Sequence, residues 1–115
     1  MRIDELRDLV RRYWQAEAAG RSDKRSERLR VRSWDGDLYR IDEEVESVMR
    51  DRESGDRFLL SAVTSPDRPQ EDWVVAWVAT TIEDAMHRGD TDILERLVAK
   101  GMSQDLAARI RAFID

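Results

Sequence analysis

The one histidine of the chain lies close to two carboxylates. Glu83 and Asp84 precede His87 by four and three residues, so a helix would place all three on one side, together with Thr80. Such a set could bind a divalent metal, but metal sites usually have three or four protein ligands, and the rest would have to be carboxylates. We therefore expect a solvated helix face with a carboxylate–imidazolium pair near the helix C-terminus, and no metal or cofactor. The alternative is a metal site formed by these three residues.

Other catalytic chemistry has little basis in the sequence. Cysteine is absent, which excludes a thiolate nucleophile, a disulfide and a Cys-containing zinc site. The five glycines occur singly at turns, so there is no glycine-rich phosphate loop. Ser61, Ser65 and Ser103 have no signature that relates them to His87 as a nucleophile. We predict that the protein is not an enzyme.

Charge is divided unevenly along the chain. The formal net charge is -5, yet residues 1–34 contain ten basic and six acidic side chains, whereas residues 35–115 contain ten and nineteen. Two readings are open: the oppositely charged segments pack near each other, or they bind partners of opposite charge. The basic segment comprises Arg21, Lys24, Arg25, Arg28, Arg30 and Arg32. The candidate partner-binding set is mainly acidic and comprises Trp34, Asp35, Asp37, Asp42, Glu43, Glu44 and Glu46.

Trp34 is the aromatic residue that we select as an interface anchor. Trp and Arg are enriched among the residues that dominate binding energy, and Arg30 and Arg32 stand beside it. Trp73 and Trp77 lie four residues apart on an apolar stripe, so we predict that they belong to the core.

Apolar residues recur at helical spacing along most of the chain. The run from Trp73 to Ile82 contains no charge, although 39% of all residues are charged, and it lies in a predicted central helix from Gln70 to Arg88. Its predicted inward face is Trp73, Val74, Trp77, Val78, Ile82, Ala85 and Met86. Further predicted helices cover residues 3–20, 38–49 and 93–98 and a last segment that Ser103 caps, while Gly89 and Gly101 mark helix ends.

Two segments allow more than one reading. Residues 21–34 form either a short helix through Arg32 or a mobile basic segment, because Leu29 and Val31 are the only apolar side chains between Asp23 and Arg32. Residues 58–63 form a short apolar run that fits a strand or a buried helix, and its helical neighbours favour a helix.

These patterns predict an all-α fold. We expect one domain over residues 1–115, a helical bundle of five to six short helices around the helix Gln70 to Arg88, with irregular solenoid-like stacking as a variant. The amino-terminal residues lack the apolar core of a signal peptide, and no uncharged run approaches the ~20 residues that span a bilayer. We predict a cytoplasmic protein that does not bind membranes.

The C-terminal two thirds resembles an uncharacterised family of small all-helical bacterial domains. In that family a Pro-Leu-Glu-Asp element ends a hydrophobic helix and is followed by His-Gly and an amphipathic helix. The corresponding residues here are Ile82, Glu83 and Asp84, then His87 and Gly89, and then residues 93–98. Thr81 replaces the proline, and Arg88 stands between the histidine and the glycine. The resemblance implies a helical fold and a role for Glu83, Asp84 and His87, but no reaction.

Small size, acidity and thin catalytic chemistry together favour a protein-interaction module, for instance an inhibitor, immunity or anti-defence type protein with a protein partner. The alternatives are a nucleic-acid-associated protein that uses residues 21–32, against which the overall acidity counts, and the metal site described above.

Overall fold

The computed structural model describes residues 2–21, 23–32 and 36–114. Over these ranges the protein is all-helical, which confirms the predicted fold class, although the helices number seven rather than five to six. They are α1 (Ile3–Gly20), α2 (Arg25–Arg32), α3 (Asp37–Met49), α4 (Arg52–Thr64), α5 (Glu71–His87), α6 (Ile93–Ala99) and α7 (Gln104–Ile114). They form two compact units, Met1–Pro69 with α1 to α4 and Gln70–Asp115 with α5 to α7.

In the first unit, α1 and α3 each contact all three other helices. The acidic first turn of α1, Asp4 and Glu5, complements the helix dipole, and the apolar stripe of α1 faces α4 and α3. Tyr13 packs edge-on against Trp14, with ring centroids 5.1 Å apart, and against Phe58 of α4 at 6.2 Å. The largest side chains buried in this core are Leu6, Leu9, Val10, Tyr13, Trp14, Ile41, Phe58 and Leu59.

Trp14 also completes the hydrogen bonding of α4. The last four carbonyls of a helix lack partners inside it, and the residue four positions after Ala62 is Pro66, which has no N–H. The indole N–H of Trp14 donates to the Ala62 carbonyl at 3.1 Å, and both residues are buried. One aromatic side chain of α1 therefore fills the core and caps a neighbouring helix.

The two ambiguous segments are both helical. Residues 58–63 lie within α4, as the neighbouring helices suggested, and the part of residues 21–34 that the structure describes includes α2. Because α2 contacts both α1 and α3, tertiary contacts stabilise a helix too short and too polar to be stable alone.

In the second unit, α5 packs against α6 and α7. Its buried residues are Val74, Val75, Val78, Ala79, Ile82 and Ala85. The predicted inward face was wrong at Trp73 and Met86, which are exposed, and Trp77, predicted to lie in the core, is only half-buried. The buried stripe is rotated toward Val75 and Ala79, because these small side chains allow neighbouring helices to approach closely.

Glycines end α5 and α6 in the same way, as predicted. Gly89 and Gly101 have φ values of 101° and 123°, a region that favours glycine. After each, a backbone N–H returns to a carbonyl five residues earlier: Asp90 to Ala85 and Met102 to Leu97, both at 3.0 Å. These are Schellman motifs, and in the second one Met102 and Leu97 are both buried, as such motifs favour. Ser103 then caps α7, since its Oγ accepts from the Leu106 N–H at 3.1 Å.

None of the helices in the described ranges combines the length and apolar character needed to cross a membrane. Trp34 and Asp35, which the sequence suggested as partner-binding residues, lie outside the described residues.

Candidate functional site

Helix α3 presents an exposed, mainly acidic face in the first unit. Tyr39, Asp42, Glu43 and Glu46 follow one another at helical spacings of three and four residues, so they share one side of the helix, and all four are exposed. We call these four residues the α3 face. The opposite side of α3 carries Ile41 and Val48, which are buried in the core.

Asp42 lies in an environment that disfavours its charge. Partial burial raises the pKa of the Asp42 carboxyl, and the negative charges of Glu17 on α1 and Glu46 on α3 raise it further. All three of these influences raise the pKa. Asp42 thus lies in a cluster of like charges.

Tyr39 extends the α3 face with an aromatic side chain. Hydrogen bonding to the Glu43 side chain, one turn along the helix, raises the pKa of the Tyr39 phenol. The side chain remains 47% exposed, so an aromatic ring lies among the carboxylates and is accessible to a partner. Tyrosine is enriched at protein interfaces and among the residues that dominate binding energy.

A groove of about 410 Å³ lies between α1 and α3. Its lining residues are Arg12, Gln15, Ala16, Ala19, Asp37, Arg40, Ile41 and Glu44. Glu44 is already engaged there, because Arg12 Nη1 donates to its carboxylate at 2.8 Å while Arg12 Nε donates to Asp8 at 2.9 Å. The bond to Glu44 is the main cause that raises the pKa of Arg12. These lining side chains provide ion pairs and apolar surface but no nucleophile or imidazole.

The structure therefore divides the predicted acidic set. Asp42, Glu43 and Glu46 share the exposed α3 face, whereas Asp37 and Glu44 line the groove. Glu44 joins α3 to α1 through its ion pair with Arg12, which gives this carboxylate a structural role.

The basic segment is also divided by its contacts. Arg21 Nε donates to the Glu17 carbonyl at 3.2 Å, and Arg32 Nε donates to the Gly20 carbonyl, so both guanidinium groups cover the C-terminal end of α1. That end has no basic residue in its own last turn, and cations there complement the helix dipole. Lys24 and Arg25 are exposed, and Arg28 is half-buried. The Arg30 side chain lies outside what the structure describes.

Glu83, Asp84 and His87 lie near the end of α5, as the sequence predicted, but without the expected pairing. Asp84 lies 3.5 Å from the Arg88 guanidinium, and His87 makes no ion pair within the described chain. Arg88 lies four residues after Asp84 and has a longer side chain than His87, so Asp84 pairs with Arg88 instead of with the histidine. Among the described residues, which include all three, no group of histidine and carboxylate side chains is placed to hold a metal ion.

Sequence reasoning missed three contributors to these surfaces. Tyr39 could have been found, because it lies one turn before Glu43 on the same helical side. Glu17 and Arg12 could not, since both act from α1 on residues of α3 far away in sequence.

The chain matches no protein-family model, no curated protein and no solved structure. The resemblance to the uncharacterised helical family stays a prediction.

Proposed function

We propose that the protein is a small acidic protein-interaction module, not an enzyme, that binds a basic surface of another protein through the α3 face. An inhibitor, immunity or anti-defence type role is the form of this proposal that fits its size and acidity. Binding takes place without a cofactor, in the cytoplasm.

The observation that carries the proposal is the cluster of like charges around Asp42 on the exposed α3 face. Partial burial makes the Asp42 charge costly, and the negative charges of Glu17 and Glu46 each add to that cost. A folded domain loses stability by keeping such a cluster, so a function that requires the negative charge is a sufficient reason to retain it. Lysine or arginine side chains of a partner would remove the repulsion.

The exposed ring of Tyr39 supports a protein as the partner. A phenol offers a large apolar area with little conformational entropy to lose, and it is enriched at protein interfaces. A nucleic acid would instead be repelled by the carboxylates beside this ring.

The test is affinity capture from lysate of the source organism with three tagged proteins. These are the wild type, the triple variant D42N/E43Q/E46Q, and the control D67N/E95Q/D105N, which removes three exposed charges elsewhere. We expect one nuclease-resistant protein to be captured by the wild type and the control but not by the triple variant, and binding that weakens as salt rises.

Capture that is equal for all three proteins would refute the α3 face as the binding surface. A captured fraction that disappears after nuclease treatment would favour the nucleic-acid alternative and the exposed Lys24 and Arg25. Metal-dependent stabilisation of the purified protein would instead direct attention to Glu83, Asp84 and His87.

A further inference from the structure

The first unit exposes a second helical face whose charge is opposite to that of the α3 face. On α2, the residues that lie three, four and seven positions after Arg25 are Arg28, Leu29 and Arg32, so all four share one side of the helix. We call these residues the α2 face. The four residues of the α3 face have the same spacing. Arg25 is exposed, and Leu29 is 58% exposed although it is a large apolar residue. Arg28 is half-buried, and Arg32 already donates to the Gly20 carbonyl, so Arg25 and Leu29 are the accessible part of the α2 face.

The two faces match in composition as well as in spacing. The α2 face has three arginines with an apolar side chain among them, and the α3 face has three carboxylates with an aromatic ring among them. An interface built from both would pair Arg25 with a carboxylate of the α3 face beside a Leu29–Tyr39 contact, with charges next to an apolar centre.

Arg25 is the cation best placed for such a contact. It lies in the first turn of α2, it is exposed, and its guanidinium makes no ion pair or hydrogen bond within the described chain. Glu46 on the α3 face is likewise exposed and has no ion pair there. Each copy of the chain therefore exposes an unsatisfied cation on the α2 face and an unsatisfied carboxylate on the α3 face.

We infer that two copies of this chain associate, with the α2 face of one copy bound to the α3 face of the other. This inference rests on the proposed function in taking the α3 face as a binding surface. Self-association would occupy that surface when no other basic partner is present, so a partner would have to displace the second copy.

The experiment uses the full-length purified protein alone, which separates it from the capture test. Sedimentation velocity over a range of protein concentrations is measured at about 20 mM and about 500 mM salt, where screening changes from weak to strong. We expect a concentration-dependent monomer–dimer equilibrium at low salt and monomers at high salt.

Two charge-reversed variants test the contact itself. K24E/R25E reverses the charge of Arg25 on the α2 face and of Lys24 just before it. The new carboxylates lie at the start of α2, where negative charge favours the helix. E43K/E46K replaces two carboxylates of the α3 face by lysines. Its control is D67K/E95K, which makes the same change of charge at exposed positions elsewhere. Far-UV circular dichroism checks that each variant is folded.

E43K/E46K should dimerise at least about tenfold more weakly than its control, and K24E/R25E should dimerise at least about tenfold more weakly than the wild type, because like charges then face each other. An equimolar mixture of the two reversed variants should dimerise again, since each altered face now meets its opposite. A wild type that stays monomeric at low salt would overturn the inference, and so would dimerisation that both reversed variants retain. Loss of self-association with intact capture of a partner would leave the proposed function standing without this inference.

Discussion

Replacing Trp14 by Phe should cost the first unit far more stability than the loss of buried apolar area alone suggests. The indole N–H donates to the Ala62 carbonyl at 3.1 Å, and phenylalanine has no donor to replace it. Pro66 cannot supply the missing N–H, because proline has none. The variant therefore leaves a buried carbonyl without a hydrogen bond.

The magnitude follows from two contributions. A buried acceptor that loses its partner costs about 1–3 kcal/mol. The smaller ring also gives up buried apolar area, worth about 1 kcal/mol. The sum is about 2–4 kcal/mol, whereas a unit spanning Met1–Pro69 has a total stability of about 3–10 kcal/mol at typical values per residue. The variant should thus lose a large part of the stability of the unit.

Urea unfolding followed by far-UV circular dichroism measures this loss directly. Trp73→Phe is the matched control, because the same ring change at a 39% exposed position should alter the free energy of unfolding by about 0.5 kcal/mol or less. If Trp14→Phe cost no more than this control, the hydrogen bond would not contribute as reasoned here, and the account of how α4 ends would be wrong.

Three further predictions concern other parts of the chain. Because the pKa of Asp42 is raised in the folded state, ionisation of this carboxyl destabilises the fold as pH rises above the ordinary value of 3.8. D42N should therefore be more stable than the wild type at neutral pH. The difference in free energy of unfolding should vanish when urea unfolding is repeated at acidic pH. Gly101→Ala should cost about 1–2 kcal/mol in thermal unfolding, because alanine is strained at a φ of 123°; an unchanged melting temperature would contradict this. Arg96 donates two hydrogen bonds of 2.8 Å to the Asp90 carboxylate. A double-mutant cycle measured by urea unfolding should give a coupling energy of about 1–3 kcal/mol between the two residues. If the losses of stability in the two single variants simply add in the double variant, the pair does not contribute to stability.

Helix positions could be predicted where periodicity and end signals agreed. The boundaries of α1 and the glycine ends of α5 and α6 follow from apolar spacing and from the need for glycine at positive φ. The segment 58–63 was ambiguous because most of its sides are at least half-buried, so alternation of polar and apolar residues is absent. Its helical state comes from packing against α1 and α3, which sequence periodicity does not record.

Burial at helix ends was less predictable. Trp73 follows the apolar stripe of α5 but lies in its first turn, and Met86 lies in its last, where fewer neighbouring side chains cover the helix. The hydrophobicity of a residue does not show whether a neighbouring helix extends far enough to cover it.

The candidate site was predicted in part. The acidic residues of α3 were identified by charge, but charge did not distinguish Glu44, which pairs with Arg12, from Asp42, which has carboxylates for neighbours. That difference depends on where α1 lies relative to α3. The basic segment was likewise treated as one surface, although Arg32 bonds to a carbonyl at the end of α1.

The contact between Trp14 and Ala62 also has a consequence for biosynthesis. The two residues are 48 positions apart, so α1 leaves the ribosome long before the carbonyl that its indole binds. During that interval the large apolar side chains of α1 have no α4 to cover them, and contacts of this sequence separation form late because a long loop must close first. The nascent first unit therefore depends on chain extension past Pro66 to hide its most aromatic helix, and slow translation of this stretch would prolong its exposure to chaperones and proteases.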